Sequence, residues 1–176
     1  MKTLIAASVF AVAFAACGAA APFKLTSPDF KEGGMLAEKT SCSGENVSPA
    51  LDWTNPPAGT KSFALMVQDP DPAPGWWHWV VYNIPADIKS LPAGAGKPDN
   101  SAMPTGAVQG NSDFETPGYG GPCPPAGSGN HRYVFTLFAL KDEKLELPKT
   151  ATPVVVRNLM GNALGSTKLT ANYSKK

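Results

Sequence analysis

The sequence predicts a mostly β protein. Eighteen prolines and seventeen glycines among 176 residues are too many for a helical bundle. They cluster between short apolar runs, as turns punctuate a sandwich or barrel of strands. Three of the runs are rich in β-branched and aromatic residues and apolar on both faces, as central strands covered from both sides must be.

In chain order, Met1 and Lys2 give a short basic start, and residues 4–16 are apolar, Ala-rich and uncharged. This pattern predicts a signal peptide over residues 1–20, leaving residues 21–176 as one domain. Cleavage after Ala20 has small Gly18 and Ala20 at the recognition positions. The competing reading attaches a lipid at Cys17, although Phe14 stands where a lipoprotein signal wants an aliphatic residue. No later segment approaches the roughly 20 apolar residues of a membrane-spanning helix. A periplasmic or secreted location is therefore expected, with lipid anchoring through Cys17 as the alternative.

The three strong strands are expected at residues 62–68 (SFALMVQ), 78–84 (HWVVYNI) and 131–140 (HRYVFTLFAL). Weaker strands are expected at residues 23–26, 36–40, 50–53 and 168–173. One helix is expected near the C-terminus. Thr152 caps it, Pro153 takes its first position and residues 154–164 continue it, although the valine run at 154–156 also suits a strand.

Charge excludes some partners. Removal of Lys2 from 15 basic residues leaves 14 against 14 acidic ones, and Arg132 and Arg157 are the only arginines. Neither nucleic acid nor an anionic membrane surface is a natural partner for such a chain. Any anion it binds must be held by a local site.

Asp69 follows the first strong strand, while His78 and His131 open the second and third. Their polar ends can converge on one rim if the strands are neighbours. Alternation puts Tyr133 on the same face as His131. Two rigid loops flank these ends, Asp69–Gly75 and Gly118–Gly127, rich in proline and glycine and suited to presenting backbone N–H groups. A carboxylate, two imidazoles and a phenol together suit an oxyanion such as phosphate. Trp76, Trp77 and Trp79 can add aromatic walls. Each residue also has a plain structural reading: Asp69 before Pro70 as a turn former, His78 among tryptophans as a core histidine, His131 as a strand end.

No zinc-type ligand spacing occurs, so neither a metal nor another cofactor is expected. Ser128 lies three residues before His131, but no nucleophile elbow surrounds it, and no triad can be read from the sequence. Cys42 and Cys123 read, by a narrow margin, as a long-range disulfide of an oxidising compartment, the alternative being two buried thiols that never meet.

The run Asp69-Pro70-Asp71-Pro72-Ala73-Pro74 followed by His78-Trp79 resembles a signature stretch of the phosphatidylethanolamine-binding proteins. So does Gly118-x-Gly-Gly-Pro-Cys-Pro-Pro-x-Gly with His131-Arg132-Tyr133. Ser41-Cys42-x-Gly-x-Asn46-x-Ser48-Pro49-x-Leu51-x-Trp53 is similar to the bacterial, Raf kinase inhibitor-like branch. The resemblance spans most of residues 23–173. It implies a large central Greek-key sheet with a smaller sheet on one face and a helix on the other. It also implies a pocket for a phospholipid headgroup or similar anion, lined by residues at the positions of Asp69, Asp71, His78, Gly121, Pro122, His131 and Tyr133. Pro72 after Asp71 departs from the family pattern by one residue, which puts Asp71 in doubt. Kinase inhibition does not carry over to an exported chain. The expected function is binding of a small anionic ligand without catalysis. The alternatives are a partner-binding protein or inhibitor of an envelope hydrolase, and a weak hydrolase using His78 and His131.

Overall fold

The computed structural model describes residues 20–148 and 151–175. Cys17 and all but the last residue of the expected signal peptide lie outside them. Among the described residues, nine strands form two sheets. The three long runs become β4 (Ser62–Asp69), β5 (Trp76–Pro85) and β8 (His131–Leu140), joined by β9 (Gly165–Tyr173). Short β2 (Gly34–Met35) and β7 (Val108–Gly110) complete the larger sheet in the order β2-β9-β8-β4-β5-β7. Every pairing in it is antiparallel except that of β2 with β9. The long excursion after β5 returns β8 beside β4. The smaller sheet has the order β1-β3-β6, from Lys24–Thr26, Leu51–Thr54 and Ser90–Leu91.

Period-two alternation explains why the central strands are apolar on both faces. Phe63, Leu65 and Val67 of β4, with Tyr133, Phe135 and Leu137 of β8, pack toward Leu25, Leu51, Trp53 and Leu91 of the small sheet. The intervening Ala64, Met66, Val80 and Phe138 face the other way, onto Val156 and Met160. The sheet is thus covered by a second sheet on one face and a helix on the other, as expected. Each fully buried side chain of this size contributes about 1.5–3 kcal/mol.

The helix α1 (Pro153–Leu159) is shorter than expected and tightens into a 3-10 turn over Met160–Asn162. Thr152 caps it by accepting the Val155 N–H at 3.4 Å, and Pro153 fills the position where its missing N–H is harmless. Residues 36–40 were expected to be a strand, but the strand ends at Met35 and Glu38–Thr40 form a 3-10 turn. The Thr40 and Ser41 hydroxyls donate to the Ala37 and Glu38 carbonyls at 2.7 and 2.8 Å, a local alternative that outcompetes strand pairing.

The two ends of the sheet differ. Asn55 donates to the Pro22 carbonyl at 3.3 Å and Phe23 packs on Phe63 at 6.2 Å, so the chain enters beside the Ser62 end of β4. The Asp69 end carries the candidate site.

Candidate functional site

A β-bulge sets the geometry. Val67 pairs with Trp79 but Gln68 pairs with Trp77, which leaves His78 as the extra residue of β5. A bulge breaks the alternation and re-aims a side chain. His78 therefore shares the small-sheet side with Trp79, where its ring meets Tyr133 edge-on at 5.1 Å. Asp69, opposite Trp76, and His131 and Tyr133 of β8 turn the same way. Four sequence-predicted residues, Asp69, His78, His131 and Tyr133, line one cavity of about 260 Å³. Trp76, Phe114, Pro72, Cys123, Pro124 and Pro125 complete its wall.

Asp69 is 3 % exposed, and both its oxygens are engaged. Oδ1 accepts the Asp71 N–H at 2.9 Å, and Oδ2 accepts His131 Nδ1–H at 2.7 Å. The opposite ring nitrogen of His131, Nε2, lies 3.1 Å from Ser128 Oγ. His78 Nδ1–H donates to the Gly120 carbonyl at 2.7 Å. Burial lowers the His78 pKa against the opposing pull of that carbonyl and of Asp69, so its Nε2 presents a lone pair rather than a proton. The Tyr133 hydroxyl is buried with no hydrogen-bond partner among the described residues. Burial, then the neighbouring Asp69 charge, pushes its pKa far up, so it stays a neutral donor.

The Gly118–Gly127 loop is pinned from behind. Gly121 N–H donates to Asn46 Oδ1 at 2.7 Å, and the Pro122 carbonyl accepts Cys42 N–H at 3.0 Å. Cys42 and Cys123 are joined by a disulfide with Cα atoms 5.4 Å apart. Gly121 and Pro122 thus hold the wall from outside the cavity, whose lining is the next three residues. Asp71 also lies outside it. Arg132 Nε donates to Asp71 Oδ1 at 2.9 Å, and that guanidinium holds Asp71 below the usual carboxylate range.

Phe114 was not legible as a residue of the cavity wall. Asp113 accepts Trp77 N–H at 2.8 Å and returns its own N–H to the Trp77 carbonyl, which hooks a loop onto β5 and lays Phe114 against His78 and Trp76. Only the Asn-Ser-Asp turn signature before Phe114 hints at this. A larger open groove of about 810 Å³ lies at the other end of the sheet, around Lys61, Asn83 and Glu143. It gathers neither an imidazole nor an unpartnered buried donor, so the chemistry favours the smaller cavity. No group of three metal-ligating side chains is assembled among the described residues.

The family model for phosphatidylethanolamine-binding protein matches residues 26–174. The Escherichia coli protein YbcL is 44% identical with the whole of both chains covered. Its crystal structure, described as that of a new member of the mammalian PEBP family, superposes with a TM-score of 0.85. The superposition covers 89% of this chain and 100% of that one at 43% identity. A second Escherichia coli relative, YbhB, is 42% identical over 86% of this chain and 99% of its own. LppC of Mycobacterium tuberculosis, provisionally named a lipoprotein, is 37% identical over 88% of this chain and 74% of its own. With a family model spanning nearly the whole described chain and a solved relative of the same two-sheet fold, the protein belongs to the phosphatidylethanolamine-binding protein family.

Proposed function

We propose that this is an exported binding protein that holds a small oxyanion carrying one proton, such as a phosphate monoester, in the cavity of Asp69, His78, His131 and Tyr133. The observation that carries this is the Tyr133 hydroxyl, buried close to the Asp69 carboxylate yet with no hydrogen bond formed among the described residues. An unmatched buried donor costs about 1–3 kcal/mol, which a ligand oxygen recovers. The charge balance sets the ligand's protonation. The Asp69 carboxylate disfavours a dianion, whereas a ligand O–H can donate to His78 Nε2 while another oxygen accepts from Tyr133. Phosphate monoesters lose their second proton near pH 6, so binding weakens as pH rises from 5.5 to 8.

Export is supported by the N-terminal sequence pattern and by the Cys42–Cys123 disulfide, which belongs to an oxidising compartment. The name of LppC points to the same compartment.

Calorimetric titration of phosphate and phosphoethanolamine across that pH range tests the reading. Saturable binding is expected, with about a tenfold or greater loss in Tyr133→Phe and loss of binding in His131→Ala. Absence of saturable binding to the folded wild-type protein refutes it.

A further inference from the structure

Asp69 and His131 line the cavity, and Ser128 stands beyond the imidazole on its exposed side. His131 Nδ1 to Asp69 Oδ2 is 2.7 Å and His131 Nε2 to Ser128 Oγ is 3.1 Å. Asp69 fixes the imidazole from inside the fold, and Ser128 lies on the exposed side, against the carbonyl of the wall residue Pro125 at 2.8 Å. A hydroxyl, an imidazole within hydrogen-bond reach of it, and a buried carboxylate orienting the imidazole are the parts of an activated serine nucleophile.

From this we propose that Ser128 is the nucleophile of an esterase site acting on small carboxylic esters, with His131 as its base and Asp69 as the orienting group. The proposal rests on the oxyanion-binding reading of the cavity, because a site that favours a tetrahedral oxyanion also favours the intermediate of acyl transfer.

The proton positions define when the serine is active. The Ser128 hydroxyl has one proton and two nearby acceptors. With His131 doubly protonated, Nε2–H donates to Oγ and the hydroxyl is turned onto the Pro125 carbonyl. With His131 neutral and Nδ1–H held by Asp69, Nε2 takes the hydroxyl proton. Oγ then adds to the ester carbonyl carbon as its proton passes to Nε2, and Asp69 stabilises the imidazolium. Collapse of the tetrahedral adduct breaks the C–O bond, and the departing alkoxide takes the proton from Nε2. Water, deprotonated by the same nitrogen, cleaves the acyl-serine to release a carboxylic acid and restore Ser128. Ester and water are consumed, acid and alcohol are formed, and no other reactant is needed.

The acyl group has the cavity beside His131 to occupy. The rest of the wall is aromatic and proline-rich, and about 260 Å³ suits a short acyl chain or a single aryl ring.

The test treats the folded, disulfide-intact protein with a fluorophosphonate probe and maps the adduct by mass spectrometry, beside hydrolysis of p-nitrophenyl acetate and butyrate. The proposal expects labelling at Ser128 and a fall in ester turnover of at least about a hundredfold in Ser128→Ala and Asp69→Asn. Ser128→Ala alters only an exposed loop, and an unchanged melting temperature shows that loss of turnover is not loss of fold. Labelling elsewhere, or turnover unaltered in Ser128→Ala, overturns the proposal. Phosphate binding without Ser128 labelling rejects the esterase site while leaving the binding reading in place, and failure of both rejects the cavity as a functional site.

Discussion

Replacing Cys42 and Cys123 together by serine severs a cross-link between residues 81 apart in sequence. Both side chains are exposed, so serine is tolerated at each and the change isolates the covalent bond. In the chain-entropy account, closing a loop of that size removes about 4.5 kcal/mol of denatured-state entropy at 25 °C, within the 2–5 kcal/mol usual for loss of a native disulfide. For a chain of this length each kcal/mol moves the melting temperature by about 2–4 °C, so a fall of roughly 10–15 °C is expected. Equilibrium urea unfolding of oxidised wild type and double variant measures the loss directly. The released denatured chain also exposes more surface, so the m-value should rise. A loss below about 1 kcal/mol with an unchanged m-value refutes the argument, and means the 42–123 loop is already constrained in the unfolded chain.

Other consequences are as direct. Because burial lowers the His78 pKa below its ordinary 6.5, the unfolded chain takes up that proton first. The contribution of His78 is complete above about pH 6.5 and is lost as pH falls below it, so the acid-side decline in melting temperature is shallower in His78→Gln. Gly121→Ala places a Cβ against the Thr40 carbonyl and 3.0 Å from Ser41 Cα, both backbone, and costs about 1–3 kcal/mol in denaturant titration. Gln109→Leu removes the acceptor that holds Trp79 Nε1–H at 2.7 Å and costs about 1–3 kcal/mol on the same assay. Asp71→Asn, lying outside the cavity, shifts the phosphate dissociation constant by less than about fivefold, whereas Asp69→Asn, at the His131 contact, shifts it by more than that.

The strong strands were legible because burial on both faces writes a continuous apolar run, as in residues 62–68 and 131–140. The short strands Gly34–Met35, Ser90–Leu91 and Val108–Gly110 were not, since two or three residues carry no period. Their pairing is set by the partner strand. At the site, the positions of Asp69, His78 and His131 at strand ends suggested convergence, and the structure brings them together. The cause of the His78 orientation, an extra residue in β5, was hidden because alternation alone cannot reveal a bulge. In the sequence Ser128 stands out only as a near neighbour of His131. Its place beside His131 depends on how the Gly127–Gly129 tip folds back to Pro125, which composition does not specify.

Pro22 and Tyr173, near the two limits of the described residues, lie at opposite poles of the sheet. Pro22 is held by Asn55 beside the start of β4, while the eight residues of that strand carry the cavity roughly 23 Å away. Tyr173, at the end of β9, pairs with His131 itself. The molecule therefore has a handle and a mouth. A bead, a sensor surface or a fused domain joined ahead of residue 20 grips the handle and leaves the mouth to solution. The same attachment after Tyr173 crowds His131 and Ser128, so capture experiments on this protein should be built from its N-terminal side.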